Sequence, residues 1–137
     1  MDRHDLLTEM RGLREQVPGV TGMLVAACDG LLVAADIGSG ADSQVEADSL
    51  AAIAAASLGV ARQVACVARQ GTLGRAITYA SRGHMVVYAV GVVALLAVLG
   101  DEGLDMGALH QRSQPALGRI HRILTNTQGE MANASKD

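Results

Sequence analysis

The chain has 137 residues, a formal net charge of −3 and 50% hydrophobic residues, which predicts one domain with its own apolar core. Its single lysine, Lys136, argues against a P-loop NTPase or a Schiff-base enzyme, because both need a lysine at the reacting groups. With only Tyr79 and Tyr88 as large aromatic residues, a nucleic-acid-stacking platform is not expected. No basic, apolar leader begins the chain, so we expect a cytoplasmic protein in which Cys28 and Cys66 are buried and unpaired.

The first elements follow from apolar spacing and turn residues. Residues 2–16 predict an amphipathic helix, because apolar side chains recur every three or four positions before a Pro-Gly pair. Residues 20–28 are predicted to form a strand, and residues 31–35 are predicted to form the second strand of a hairpin. The Asp29-Gly30 pair between them predicts a tight hairpin in which both turn residues have positive φ.

A long alanine-rich helix is predicted next. The loop 37–42 has two glycines but lacks the third glycine of a dinucleotide-binding turn, so we expect an ordinary loop. Ser43 and Glu46 form a capping box that opens a helix to about Ala68. Its small side chains would let another helix approach closely, although the helix propensity of alanine also accounts for them. Gly59 costs about 1 kcal/mol relative to alanine in mid-helix, which a close crossing would explain.

The apolar run 85–100 is open to two interpretations. A membrane helix needs about 20 apolar residues, and this run is shorter. It is rich in β-branched valine and has Gly91 near its middle, so we favour two buried strands, 84–90 and 93–99. Before it, residues 73–80 alternate with period two and have a mixed polarity that is typical of an edge strand.

The last predicted helix spans residues 105–125. Pro115 lies inside it and is expected to kink or split it, with Ser113 as the cap of a second segment. We expect one domain over residues 1–125 and a disordered polar tail over 126–137. The order α-β-β-α-β-β-β-α, with strands apolar on both faces, predicts a three-layer α/β/α sandwich (class α+β) around a five-stranded, mostly antiparallel sheet.

No catalytic or metal site is predicted. No nucleophile lies beside a plausible base, and His110 and His121 lack the spacing of a metal-binding pair. His84 begins a strand and is expected at the surface. We therefore expect neither a catalytic residue nor a cofactor.

Several stretches together resemble a known family. They are Val17–Val20, Asp29–Ala35, the alanine-rich second helix and the paired run Met85–Leu99 followed by an acidic loop. Over about residues 4–125 the chain resembles the roadblock/dynein-light-chain family in its bacterial form. The resemblance implies a profilin/roadblock-like fold and a homodimer, in which third strands meet edge to edge and second helices pack across the two-fold axis.

The resemblance also implies a function. Such a protein is a non-enzymatic regulator or scaffold of a small Ras-like GTPase in bacterial, including actinobacterial, signalling, with a sensor-kinase-like protein as a second partner. The expected dimer interface consists of Ala51, Ala55, Leu58, Gly59, Arg62, Leu73, Arg75 and Ile77. The expected GTPase contacts are Arg62, Arg69 and Arg82. The candidates for an arginine finger supplied in trans are Arg62, Arg69, Arg75 and Arg82, although each could also be an ordinary solvated surface arginine.

An alternative function is a small-ligand sensory domain, because the alanine-rich core could leave a cavity. No direct membrane insertion is expected. Recruitment to the inner membrane would come from the partners.

Overall fold

The computed structural model describes residues 3–37 and 41–136, with side chains described for 3–37 and 46–126. Its five strands form one sheet in the order β2-β1-β5-β4-β3. In chain order the elements are α1 (Arg3–Gln16), β1 (Val20–Ala27), β2 (Leu32–Asp36), α2 (Ala41–Val67), β3 (Arg75–Ala80), β4 (Gly83–Val90), β5 (Ala94–Asp101) and α3 (Met106–Lys136). This element order confirms the predicted one.

Every pairing in the sheet is antiparallel. The centre is formed by β1 and β5, which are far apart in sequence, with Leu24 opposite Ala97. β4 lies on the other side of β5, with Val87 opposite Ala97. β3 pairs with β4 and is the last strand of the sheet, which confirms the predicted edge strand.

Helices cover both faces of the sheet, which confirms the three-layer architecture. On one face, α1 and α3 pack side chains such as Met10 and Ile120 against Val86 and Val98. On the other face, α2 packs Leu58 and its alanines against the sheet. The two-sided burial accounts for the apolar run 85–100, which forms β4 and β5 rather than a membrane helix.

The β1–β2 turn differs from the predicted hairpin. Gly30 has a φ of +93°, but Asp29 is not among the residues with positive φ. The Gly30 N–H donates to the Ala27 carbonyl at 2.9 Å, and the Leu31 N–H donates to Asp29 Oδ1 at 3.1 Å. The carboxylate therefore stabilises this wider turn through a local hydrogen bond, without a left-handed conformation at Asp29.

Helix α3 is continuous across Pro115, so the predicted split is wrong. Ser113 does not cap a second segment. Its side chain is buried, and its hydroxyl donates to the His110 carbonyl at 3.1 Å within the same helix. The cap lies at the start of the helix, where Asp105 Oδ1 accepts the Ala108 N–H at 2.9 Å.

Both long helices extend beyond their predicted limits. α3 continues to Lys136, past the predicted end at residue 125, and side chains from residue 127 onward lie outside the described residues. The disordered tail over 126–137 stays a prediction. α2 begins at Ala41, before the predicted cap. The Ser43 side chain of the predicted capping box and the glycines of the preceding loop lie outside the described residues.

The end of α2 is formed without a glycine. The Gln70 N–H donates to the Ala65 carbonyl at 2.8 Å. Arg69, the residue just before Gln70, has a φ of +55°. This geometry is a Schellman motif with arginine in the position that glycine usually occupies.

Candidate interaction surface

A stripe of exposed aliphatic side chains runs along the outer face of α2. Its members are Ile53, Val60, Val64 and Val67, which are 56%, 65%, 55% and 78% exposed. Their spacing of seven, four and three residues places them on one side of the helix. We call these four residues the α2 stripe. Large aliphatic side chains aligned on one exposed helix face are typical of a contact surface.

The α2 stripe borders a groove that leads to the free edge of the sheet. The groove has a volume of about 520 Å³ and is lined by Ile53, Val60 and neighbouring small residues of α2, with Ala76 and Ile77 of β3 on the other side. β3 bonds to β4 on one side only, so its outer edge has unpaired backbone groups. An apolar helix face and an open strand edge therefore form one continuous surface.

The predicted interface residues divide between this surface and the core. Ala51 and Leu58 are 0% and 1% exposed and pack under α2 against the sheet, so their assignment to an interface is wrong. Ala55 is half-buried beside the β1–β2 turn, whereas Gly59 and Arg62 are exposed. In and before β3, Leu73, Arg75 and Ile77 are half-buried.

Sequence reasoning missed the α2 stripe. It took small residues of α2 as the outer contact, but Ala51 and Ala54 face the sheet, where small side chains let the helix lie close to it. The signal was present in the sequence as the helical spacing of Ile53, Val60, Val64 and Val67. The tract was apolar all round, and its periodicity alone therefore did not identify the inner face.

The candidate GTPase-contacting arginines lie on three separate elements. Arg62 is on α2, Arg69 follows the end of that helix, and Arg82 is in the β3–β4 turn, all with exposed side chains. Within one chain the structure does not bring them together. Arg75 is directed toward α3, where its guanidinium contacts His110 Nδ1.

The histidines and cysteines form no reactive cluster among the described residues. No group of three or more His, Cys, Asp or Glu side chains there could hold a metal ion. His84 is half-buried rather than at the surface, since its ring packs edge-on against Tyr79 at 5.0 Å between ring centroids. Cys28 is half-buried and Cys66 is exposed, so the prediction that both are buried is wrong for Cys66.

The cavities lined by described residues are grooves on the surface. The groove beside α2 and a second one of about 460 Å³ near the start of β4 both open to solvent. Neither groove is enclosed in the way that the pocket of a ligand-sensing domain would be.

Helix α2 also has the length and hydropathy of a membrane span. The window Glu46–Val67 has a mean hydropathy of 1.7, and 17% of it is buried. One such helix is weak evidence for a span, because a helix that packs on a sheet and exposes an apolar contact face passes the same test.

The sequence of the chain is similar to that of a known protein family. The sequence profile of the family described as "Roadblock/LC7 domain" matches residues 6–100. No curated protein matches the sequence.

Solved structures show the same fold. A Roadblock/LC7 domain from Streptomyces avermitilis aligns with a TM-score of 0.77 at 24% identity, covering 86% of this chain and 96% of its own. MglB from Myxococcus xanthus aligns with a TM-score of 0.76 at 14% identity, covering 91% of each chain. The gliding protein MglB from Thermus thermophilus aligns at 0.70 with 19% identity, covering 88% of each chain.

Proposed function

Because the chain belongs to the Roadblock/LC7 domain family, we propose that it is a non-enzymatic, homodimeric regulator or scaffold of a small Ras-like GTPase in a bacterial signalling system. The match over residues 6–100 confirms the resemblance seen in the sequence. The proposal extends that family membership to a partner and an assembly state.

The observation that carries the proposal is the α2 stripe beside the open edge of β3. Exposed aliphatic side chains such as Val60 and Val64 favour association, since burying them removes apolar surface from water. An unpaired strand edge is a ready template for a second strand. A second copy of the chain supplies both counterparts at once, as a two-fold symmetric interface requires.

In the proposed dimer the two β3 edges pair and the two α2 stripes pack against each other. Ile53, Val60 and Val64 replace Ala51 and Leu58 in the proposed interface, because the latter two are already buried within one chain. Arg62 and Gly59 remain part of it or border it.

The role we propose is regulatory, and the catalysis belongs to the bound GTPase. Exposed arginines of a regulator can stabilise phosphoryl transfer in a bound GTPase when they are supplied in trans. In the proposed complex Arg62, Arg69 and Arg82 are the groups available for this role, and a sensor-kinase-like protein is a second partner. We place the complex in the cytoplasm.

The first experiment measures self-association. Sedimentation equilibrium at tens of micromolar should give 28.2 kDa, twice the monomer mass of 14.1 kDa. The double variant Val60→Asp/Val64→Asp should sediment as a monomer, because it would bury four carboxylates, two from each copy, at the two-fold axis. Its matched control is Val92→Asp, which changes an exposed valine on a distant loop and should leave the dimer intact.

A monomeric native protein would refute the homodimer. The GTPase is tested separately, by capturing small GTPases from the source cell on the native protein and on the monomeric variant. Capture by the native protein alone, with a changed rate of GTP hydrolysis, supports the proposal. Failure of both to retain any GTPase refutes the regulatory role.

A further inference from the structure

A second exposed apolar region lies at one end of the sheet and is formed by loops, whereas the α2 stripe lies on a helix. Its aliphatic side chains are Leu31, Val92 and Val93, which are 69%, 86% and 36% exposed. They belong to the β1–β2 loop, residues 28–31, and the β4–β5 loop, residues 91–93. We call these two loops together the loop end.

The two loops are bound to each other. The Cys28 N–H donates to the Val93 carbonyl at 3.0 Å, and the Cys28 thiol donates to the Val92 carbonyl at 3.4 Å. Neighbouring backbones therefore present Leu31, Val92 and Val93 as one group rather than as three isolated side chains.

Close packing from behind holds both loops in place. A Cβ atom at Gly30 would lie 3.3 Å from the Ala52 Cα atom of α2, so the first loop rests directly on that helix. A Cβ atom at Gly91 would lie 2.7 Å from the His121 ring of α3, so the second loop fits beneath that ring. The exposed aliphatic side chains thus project from loops that have little freedom to fold them inward.

Only basic charge continues from the loop end along α2. The helix contacts the first loop through Ala52 and Ala55 and then runs on past it. Residues three and four apart share a helix face, so Gly59 and Arg62 continue the face that begins at Ala55. Arg69 lies two residues past the end of α2 and has a left-handed backbone conformation. Both arginine side chains are exposed.

The sequence around these arginines contains no acid. Between Ser49 and Gly100 there are four arginines and no Asp, Glu or Lys. The rest of the chain therefore has 11 − 4 = 7 basic and 14 acidic residues, a balance of −7. The loop end itself contains one acidic residue, Asp29, whose Oδ1 accepts the Leu31 N–H.

Acidic residues concentrate at the other end of the sheet. Asp36 ends β2, Asp101 ends β5, and Glu102 and Asp105 follow in the connection to α3. Of these, Asp36 is paired with Arg14 at 3.1 Å. The two ends of the strands thus differ: exposed aliphatic side chains lie at the loop end, and these carboxylates lie at the other end. Arg82 of the β3–β4 turn also lies at the carboxylate end, since the adjacent Gly83 pairs with Asp101.

We propose that the loop end docks on the surface of an anionic phospholipid bilayer. Leu31, Val92 and Val93 enter the boundary between headgroups and acyl chains, while Arg62 and Arg69 bind lipid phosphates. The acidic end faces away from the bilayer, because the same surface potential repels it. A lipid surface fits this combination better than nucleic acid does, since the loop end has aliphatic side chains and no aromatic ring on which a base could stack.

This docking is peripheral and uses residues outside the α2 stripe. It shares Arg62 with the proposed dimer interface, and Arg62 and Arg69 with the proposed GTPase contacts. The Leu31→Asp/Val92→Asp variant changes neither arginine and therefore distinguishes the docking from the proposed function.

The test is co-sedimentation of the full chain with vesicles. We expect binding to vesicles that contain phosphatidylglycerol and little binding to pure phosphatidylcholine. Binding should decrease as the NaCl concentration rises from about 50 mM to about 500 mM, because salt screens the arginine–phosphate attraction. Leu31→Asp/Val92→Asp should reduce binding about tenfold or more, by placing charge where the acyl boundary is apolar.

Two pairs of variants separate this surface from the rest of the molecule. Arg62→Glu/Arg69→Glu should abolish binding, whereas Arg3→Glu/Arg11→Glu, with equal charge change on exposed positions of α1, should retain it. Val60→Ser/Val64→Ser, which leaves the charge unchanged, should also retain binding, because those valines belong to the α2 stripe. Circular dichroism confirms that each variant is folded.

Three results would overturn the proposal. The first is equal binding to neutral and anionic vesicles, and the second is unchanged binding of Leu31→Asp/Val92→Asp. The third is binding that resists alkaline carbonate, since it would mean that α2 is inserted in the bilayer and the loop end is not docked on its surface.

Discussion

The two faces of the sheet are built from side chains of different size. Beneath α1 and α3 the core contains large residues such as Leu6, Met10 and Ile120, all fully buried. Beneath α2, four of the eight buried side chains in the described core are alanines: Ala26, Ala51, Ala54 and Ala97. One face has a thick core formed by two helices, and the other has a thin core under a single helix.

This difference shows which aliphatic side chains are buried within the monomer and which remain exposed for a partner. The thick face buries its aliphatic residues within one chain, and α1 is tied to α3 by a Glu9–Arg119 ion pair at 2.8 Å. On the thin face, Val60 and Val64 lie on the outer side of α2, while Leu58 faces the sheet. The thin core brings α2 close to the sheet and leaves its outer stripe beside the β3 edge.

The largest effect is expected on the thick face. Replacing Ile120 by alanine removes a fully buried side chain between α3 and the sheet and should lower the free energy of unfolding by about 2–5 kcal/mol. Urea denaturation measures it, in the Val60→Asp/Val64→Asp background so that self-association does not contribute. The control Leu31→Ala, at an exposed loop position, should change stability by less than about 0.5 kcal/mol. Equal effects would mean that the thick core is loosely packed.

A smaller loss of stability is expected on the thin face, where the substituted side chain is too large rather than too small. Ala54 is fully buried between α2 and the sheet, so Ala54→Leu should destabilise the monomer by about 1–3 kcal/mol through overpacking. Ala68→Leu, at an exposed position after α2, should be close to neutral. If Ala54→Leu were instead neutral or stabilising, space would exist under α2, and the ligand-sensing alternative would regain support.

The smallest effect is expected where α2 has left the sheet. Arg69 adopts a left-handed conformation, so Arg69→Gly should raise the free energy of unfolding by about 0.5–1 kcal/mol. Arg62→Gly, inside the helix, should lower it by about 1 kcal/mol. Thermal unfolding of both variants measures whether the stability rises in the first and falls in the second. A loss of stability in Arg69→Gly would show that the arginine side chain contributes more than its backbone strain costs.

Most of the fold was predictable because the signals were local. Strand limits came within two residues, since valine-rich runs end at Gly91 and at the acidic residues after Gly100. The edge position of β3 followed from its mixed polarity. Asp29 and Pro115 were misjudged, because the first is stabilised by its own side-chain hydrogen bond and the second is tolerated within a helix that packs along its length.

The interaction surface was less predictable from sequence. A run of alanines in a sequence is equally compatible with a helix that packs closely on a sheet and with one that packs closely on another helix. Only the structure shows that Ala51 and Ala54 face inward while Ile53 and Val60 face outward. The loop end depended on contacts between distant residues, such as Cys28 with Val93, which no local pattern reports.

The central β1–β5 pairing has a consequence for biosynthesis. Its partners are separated by 67 residues at Ala27 and Ala94 and by 80 at Val20 and Gly100. While the ribosome is still translating the first half, β1 is therefore left with one free flank, and the sheet closes only after β5 emerges. The cost of bringing such distant segments together makes this late step the slow one in folding, and the nascent chain is vulnerable to aggregation until it occurs.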